Sequence, residues 1–308
     1  MPLRLRSARL LPGLLVLLSV AGSADAEIVF SALQDGGWRL FQQSGPGSEP
    51  RPVVGAGGAV GDPGAARISP DGRSVAFEVT GGNVHVCPLK GEAPCRVVSV
   101  PHGFAVRPAW RGSAGELVFV HYTFKSDEEV STLHRADASL EDLEPLIQQT
   151  GIQDFPDVSP DGARLAYTSW QTVMPYRGGV KVVQQIWTLE LSRGRAGQLL
   201  LSNSSDIHPR WSPDGSKLAF SSNRSGQYEI WTVEADGNHP TRITSGPGDK
   251  TWPVWSPTGE QVLFTHAQAG RTGLSIVTLE NGEMSRYQPF AAKAEIQLKD
   301  ADWRAAPR

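Results

Sequence analysis

The chain has 308 residues, a formal net charge of −3 and only two cysteines. That length suits one large all-β domain or two ordinary ones. The mild acidity argues against a nucleic-acid partner, whose footprint would be a basic patch.

The chain opens on a targeting segment. Arg4, Arg6 and Arg9 precede the apolar run LLPGLLVLLSVAG, and Ala24 and Ala26 hold the two small-residue positions of a secretory cleavage site. The run is shorter than the roughly 20 residues needed to span a bilayer. Residues 1–26 therefore read as a signal peptide and not as a membrane-spanning anchor, and no Cys follows that could carry a bacterial lipid. Export through the Sec pathway with cleavage after Ala26 places the mature chain in the periplasm. It also removes three Arg and one Asp, which moves the net charge from −3 to −5. The remaining residues, 27–308, contain no charge run or low-complexity linker that would divide them.

Alternating segments at 27–33, 37–43 and 51–54 read as the first strands. Then comes Ser69-Pro70-Asp71-Gly72, a sequence suited to a tight turn: Pro presets φ, Asp tolerates the next position and Gly takes φ > 0. The same four residues recur at 159–162 and 212–215, with SPTG at 256–259. Each copy follows a short apolar segment and precedes an alternating strand, so each joins the arms of a hairpin. RPAWRGSAGELVFVHY fits the same frame with Arg111 in the Ser position, and DADWRAAPR fits up to Trp303. Successive anchors, from Ser69 through Arg111, Ser159, Ser212 and Ser256 to Arg304, are 42, 48, 53, 44 and 48 residues apart. A period of about 40–50 residues with several strands per unit is the signature of a β-propeller.

Two further strands follow each hairpin, most clearly YEIWTVEA and TRIT around a DGN turn. The last anchor has a strand before it and none after, whereas the first three strands lack an inner partner. The expected fold is therefore an all-β, six-bladed propeller with four antiparallel strands per blade. Its ring is closed by residues 299–303 pairing with 27–33. Pro108, Pro156, Pro209 and Pro253 stand three residues before their anchors, where an innermost strand has a free edge. Trp110, Trp211, Trp255 and Trp303 should pack between blades. Cys87 and Cys95 flank a hairpin tip at Gly91 in CPLKGEAPC, and in an exported chain they are expected to form a disulfide.

PRWSPDGSKLAFSSNRSGQYEIWTVEADGNHPTRIT resembles the repeat of the TolB-type six-bladed propeller family, and looser copies extend from Glu27 to Arg308. The resemblance implies a periplasmic, non-catalytic protein that binds envelope partners. It also implies a departure: TolB carries an α/β domain ahead of its propeller, whereas here the first blade follows the signal peptide, so a stand-alone propeller is expected.

No G-x-S-x-G elbow, H-E-x-x-H motif or EF-hand loop is present. Asp62, Asp154, Asp206, Asp249 and Asp300 precede inner strands, with His102, His121, His208 and His266 at the same end of the blades. A Ca²⁺ or transition-metal site at the channel mouth is the sharper reading. The offsets from the anchors are irregular, so no cofactor is expected. Function is read as a binding or scaffold protein for an envelope protein or peptide, monomeric and not an enzyme. The alternative is a lyase or hydrolase acting on a saccharide or small ester at the channel mouth.

Two connections between the second and third strands of a blade are long, 122–130 and 170–180. They carry Tyr122, Phe124, Trp170, Met174, Tyr176 and Arg177, residue types enriched at interfaces. His102, Phe104, Phe155, His208 and Trp252 lie in segments expected on the same face, which is the candidate partner-binding face.

Overall fold

The Ser-Pro-Asp-Gly segments are closed by their own side chains. Gly215 takes φ 70° and its N–H donates to Ser212 O over 2.9 Å. The Ser212 hydroxyl donates to Asp214 Oδ1 at 2.6 Å and accepts the Lys217 N–H at 2.9 Å. The turns at Ser69 and Ser159 repeat this pattern. At Ser256 the hydroxyl of Thr258 replaces the carboxylate. Each turn thus pairs the strand before it with the strand after it in antiparallel register.

The computed structural model describes residues 26–306 apart from 46, 54–60, 92, 113, 126–127, 148–150, 174–180 and 291–295. Six four-stranded antiparallel sheets form the blades. Blade 1 contains β1 (Ala26–Gln34), β2 (Gly37–Ser44) and β3 (Arg51–Pro52). Blade 2 runs β4 (Pro63–Ile68), β5 (Ser74–Val79), β6 (Val84–Pro88) and β7 (Arg96–Val98). Blade 3 is β8 (Phe104–Arg111), β9 (Glu116–Lys125), β10 (Glu128–Ala136) and β11 (Leu143–Pro145). Blade 4 is β12 (Gln153–Val158), β13 (Arg164–Val173), β14 (Lys181–Glu190) and β15 (Arg195–Gln198). Blade 5 is β16 (Asp206–Trp211), β17 (Lys217–Ser222), β18 (Glu229–Glu234) and β19 (Thr241–Arg242). Blade 6 is β20 (Asp249–Trp255), β21 (Gln261–Gln268), β22 (Arg271–Thr278) and β23 (Met284–Tyr287). The inner strand of blade 1 is the last in the chain, β24 (Leu298–Ala305), paired antiparallel with β1. The closure expected from the sequence is present.

Alternation along each strand puts apolar side chains on both faces of a blade, so every junction between blades has its own core. Trp110, Trp211, Trp255 and Trp303 each pack on the preceding blade, as expected. Three of their indoles donate to a carbonyl of that blade: Trp110 to Arg67 O (2.8 Å), Trp211 to Asp157 O (3.2 Å) and Trp255 to Arg210 O (3.0 Å). The Cys87–Cys95 disulfide is formed, with Cys87 buried between blades 1 and 2.

Candidate functional site: the channel plug and the face around it

Each of the six inner strands breaks register once. The residue at the break has positive φ in every case: Ala65 (47°), Arg107 (53°), Phe155 (51°), His208 (57°), Trp252 (56°) and Asp300 (53°). A β-bulge re-aims the side chain at its extra residue, and for non-glycine residues this conformation costs of order 1–3 kcal/mol each. In four blades the next residue is one of the prolines singled out in the sequence, which brings no N–H to the interrupted ladder.

The bulges aim side chains into the channel. His208 stacks on Trp252 with ring centroids 4.1 Å apart, and Phe155 meets both edge-on at 4.3 and 5.1 Å. The Arg107 guanidinium lies 4.9 Å from the Phe155 ring and 5.5 Å from that of Trp252. These contacts join four blades in one aromatic and cationic plug. Burial, reinforced by Arg107 and Arg67, holds the His208 imidazole well below its ordinary pKa, so it is neutral at pH 7.

Arg107 is fixed from both sides. It ion-pairs with Glu78 and approaches Asp154 at 3.4 Å, while Asp154 also accepts the Tyr122 hydroxyl at 2.8 Å. Burial works against the Arg107 charge, but Glu78 and Asp154 outweigh it and raise its pKa. Burial raises Asp154 despite Arg107, and it raises Asp300 despite Lys299. Two residues beyond the bulges a second layer of charge crosses the channel: Arg210 bridges Asp157 and Asp302.

The expected site residues separate into two groups. Phe155, His208 and Trp252 belong to inner strands and form the plug, and His208 is buried within it. Tyr122 holds Asp154 beside them. Phe104, Phe124 and Trp170 stand on the surrounding face, 37%, 66% and 43% exposed. His102 is exposed on the same side, and its carbonyl accepts from His121 Nε2 at 2.8 Å. Met174, Tyr176 and Arg177 lie outside the described residues.

One local expectation changes. Residues 122–125 and 170–173, read as loop, continue the ladders of β9–β10 and β13–β14. These hairpins reach Lys125 and Val173, whereas β17 in blade 5 stops at Ser222. On blade 4 this leaves Trp170, with Val182 (55% exposed), on a wall above the shorter blade 5.

Among the described residues no three His, Cys, Asp or Glu side chains are gathered to hold a metal. The carboxylates expected around the mouth are engaged separately. Asp206 pairs with Arg224 at 2.8 Å, Asp249 accepts the Tyr228 N–H and Asp62 accepts the Trp38 N–H. Arg107, Asp157, Arg210 and Asp302 were not singled out in the sequence. Their signal was positional: Arg107 stands four residues before its anchor, and Asp157, Arg210 and Asp302 stand two residues before theirs.

Comparison with solved structures finds the same fold widely. TolB from Acinetobacter baumannii superimposes with TM-score 0.73 at 18% identity, over 90% of this chain and 66% of that one. A TolB of Agrobacterium tumefaciens gives 0.61 at 17%, over 92% and 99%. An oligogalacturonate lyase in complex with manganese gives 0.58 at 17%, over 87% and 76%. A comparison with curated protein sequences finds no match. The TolB β-propeller domain pattern matches residues 116–295. With that match across more than half its length, the chain belongs to the TolB β-propeller family.

Proposed function

We propose that this is an exported, non-catalytic propeller that docks an extended segment of an envelope protein on the face around the plug. The observation that carries this reading is the wall formed by the long hairpins of blades 3 and 4. Phe124, Trp170 and Val182 are large apolar side chains exposed there, on scaffolds held rigidly by paired strands, and Phe104 is exposed beside them on β8, opposite Tyr122. Aromatic side chains of this kind are the usual anchors of protein interfaces. The polar groups of the plug support the same reading. Arg107, Glu78, Asp154 and Tyr122 bind one another, and the neutral His208 is packed between two rings. These side chains shape a surface and leave little freedom for proton transfer to a substrate.

The test is a double substitution, Phe124→Ala with Trp170→Ala. Both side chains are well exposed, so the melting temperature should stay within about 2 °C of the wild type, as for ordinary surface changes. Partner capture from the exported fraction should be lost. Undiminished capture excludes this face. Turnover of a saccharide or ester by the purified protein would instead establish the enzyme alternative.

A further inference from the structure

The prolines that preset φ in the repeated turns have a second role. Pro70, Pro160, Pro213 and Pro257 gather at the end of the channel opposite the plug, where they line one cavity of about 200 Å³. A Cβ on Gly215 would meet the Pro160 ring at 3.5 Å, and one on Gly259 the Pro213 ring at 3.8 Å. The turns of blades 4, 5 and 6 therefore lie side by side, each proline against the next glycine. Trp211, Trp255 and Trp303 add aromatic surface to the lining, with Val158 and Val254.

The polar side chains of the lining are mostly engaged. Asp157 faces Arg210 Nε at 3.3 Å and accepts the Trp211 N–H at 2.8 Å. Ser212 is closed within its own turn. Arg210 Nη2 pairs with Asp302, which Arg304 also faces at 3.9 Å. Two buried polar atoms among the lining side chains have no hydrogen-bond partner, Arg210 Nη1 and Trp303 Nε1. Both are donors.

These walls select among occupants. The cavity has room for several waters at about 30 Å³ each, but pyrrolidine, indole and valine carbons give most of them nothing to bond. An apolar cavity of about 150 Å³ is enough for benzene. A single aromatic ring therefore fits by size and covers the carbon walls, and the unmet donors ask for one acceptor oxygen on it. The Arg210 charge is already matched by Asp157 and Asp302, which favours an uncharged acceptor over a carboxylate.

We propose that this mouth is a binding site for a small phenol, its ring among the turn prolines and tryptophans and its oxygen accepting from these donors. The hydroxyl hydrogen has the Asp157 carboxylate in the same lining. The site is separate from the docking face, which lies at the other end of the blades.

The test uses the full protein and para-fluorophenol, followed by fluorine NMR. Burial of one ring of about 150 Å² corresponds to a saturable Kd on the order of 1 mM. Fluorobenzene, without the hydroxyl, should bind about tenfold more weakly, the loss of one hydrogen bond to a charged donor. Para-fluorobenzoate should bind no more tightly than the phenol. Ala305 is exposed at the rim of the cavity, so Ala305→Trp should fill the mouth and abolish binding with the melting temperature within about 2 °C of the wild type. If that variant does not fold, an anomalous bromine peak from para-bromophenol in wild-type crystals locates the site in its place. Absence of saturable binding overturns the proposal. So does fluorobenzene binding as well as the phenol, para-fluorobenzoate binding more tightly, or a folded Ala305→Trp that still binds. A bromine peak without saturable binding in solution marks binding at crystal concentration only and overturns it too.

Discussion

Trp303, in the last strand, stands directly opposite Ile28 in the first. Both side chains are buried in the core between blades 6 and 1. The pairing joins the ends of a chain whose other blades are continuous in sequence, so blade 1 has no inner strand without it. Trp303 also differs from its counterparts, because its indole N–H has no partner. Packing alone supplies its contribution.

Trp303→Ala should therefore destabilise by about 3–5 kcal/mol, the range for a large buried aromatic. Deleting residues 299–308 should cost at least as much and expose the inner edge of β1. Urea or thermal unfolding measures both. A truncated protein that melts with the wild type would show that the closure does not hold the ring together.

The turn repeat made the blade order legible, because a Ser-Pro-Asp-Gly turn is a local structure closed by its own residues. Ser212, Asp214 and Gly215 satisfy one another within four positions, and no distant contact is needed to read them. The plug was legible only in part: Phe155, His208 and Trp252 were expected on one face, but Arg107 and the bulges that bring them together were not. Ala65, Arg107, Phe155, His208, Trp252 and Asp300 have no one residue type in common, and what they share is the place of the bulge in each inner strand. Only closure of the ring brings such unlike residues together. The long hairpins were misread as loops for a related reason. Tyr122, Thr123 and Phe124 pair across the ladder with Ser131, Val130 and Glu129, and that partnership is not visible in either segment alone.

Asp300→Asn should stabilise the protein at neutral pH. Burial raises the pKa of Asp300 in the folded state above its unfolded value. The folded chain then binds the proton more tightly, so wild-type stability falls as pH rises from the unfolded pKa through the folded one. Asparagine stays neutral and is tolerated at positive φ. The advantage of the variant should therefore be largest at pH 7 and shrink in acid. Denaturant melts of both proteins between pH 4 and 8, roughly the window in which buried carboxylates titrate, measure it. A variant less stable at pH 7 would contradict the assignment.

Thiol titration of the denatured, unreduced protein should find no free thiol, since Cys87 and Cys95 are joined. Replacing both by Ala should cost about 2–3 kcal/mol, the scale for a short disulfide loop. The ring should still close, because the bridge lies within blade 2 and its neighbouring connection. Circular dichroism with chemical denaturation checks both parts.

The most direct measurement of the docking account is site-specific photo-cross-linking in the exported compartment. A photoreactive side chain at Trp170 should give one discrete adduct, lost when Phe124 is also replaced by Ala. The same probe at Lys217, beside the Ser212 turn on the opposite end of the blades, should give none. Adducts from Lys217 and none from Trp170 would contradict the assignment of the partner to the face around the plug.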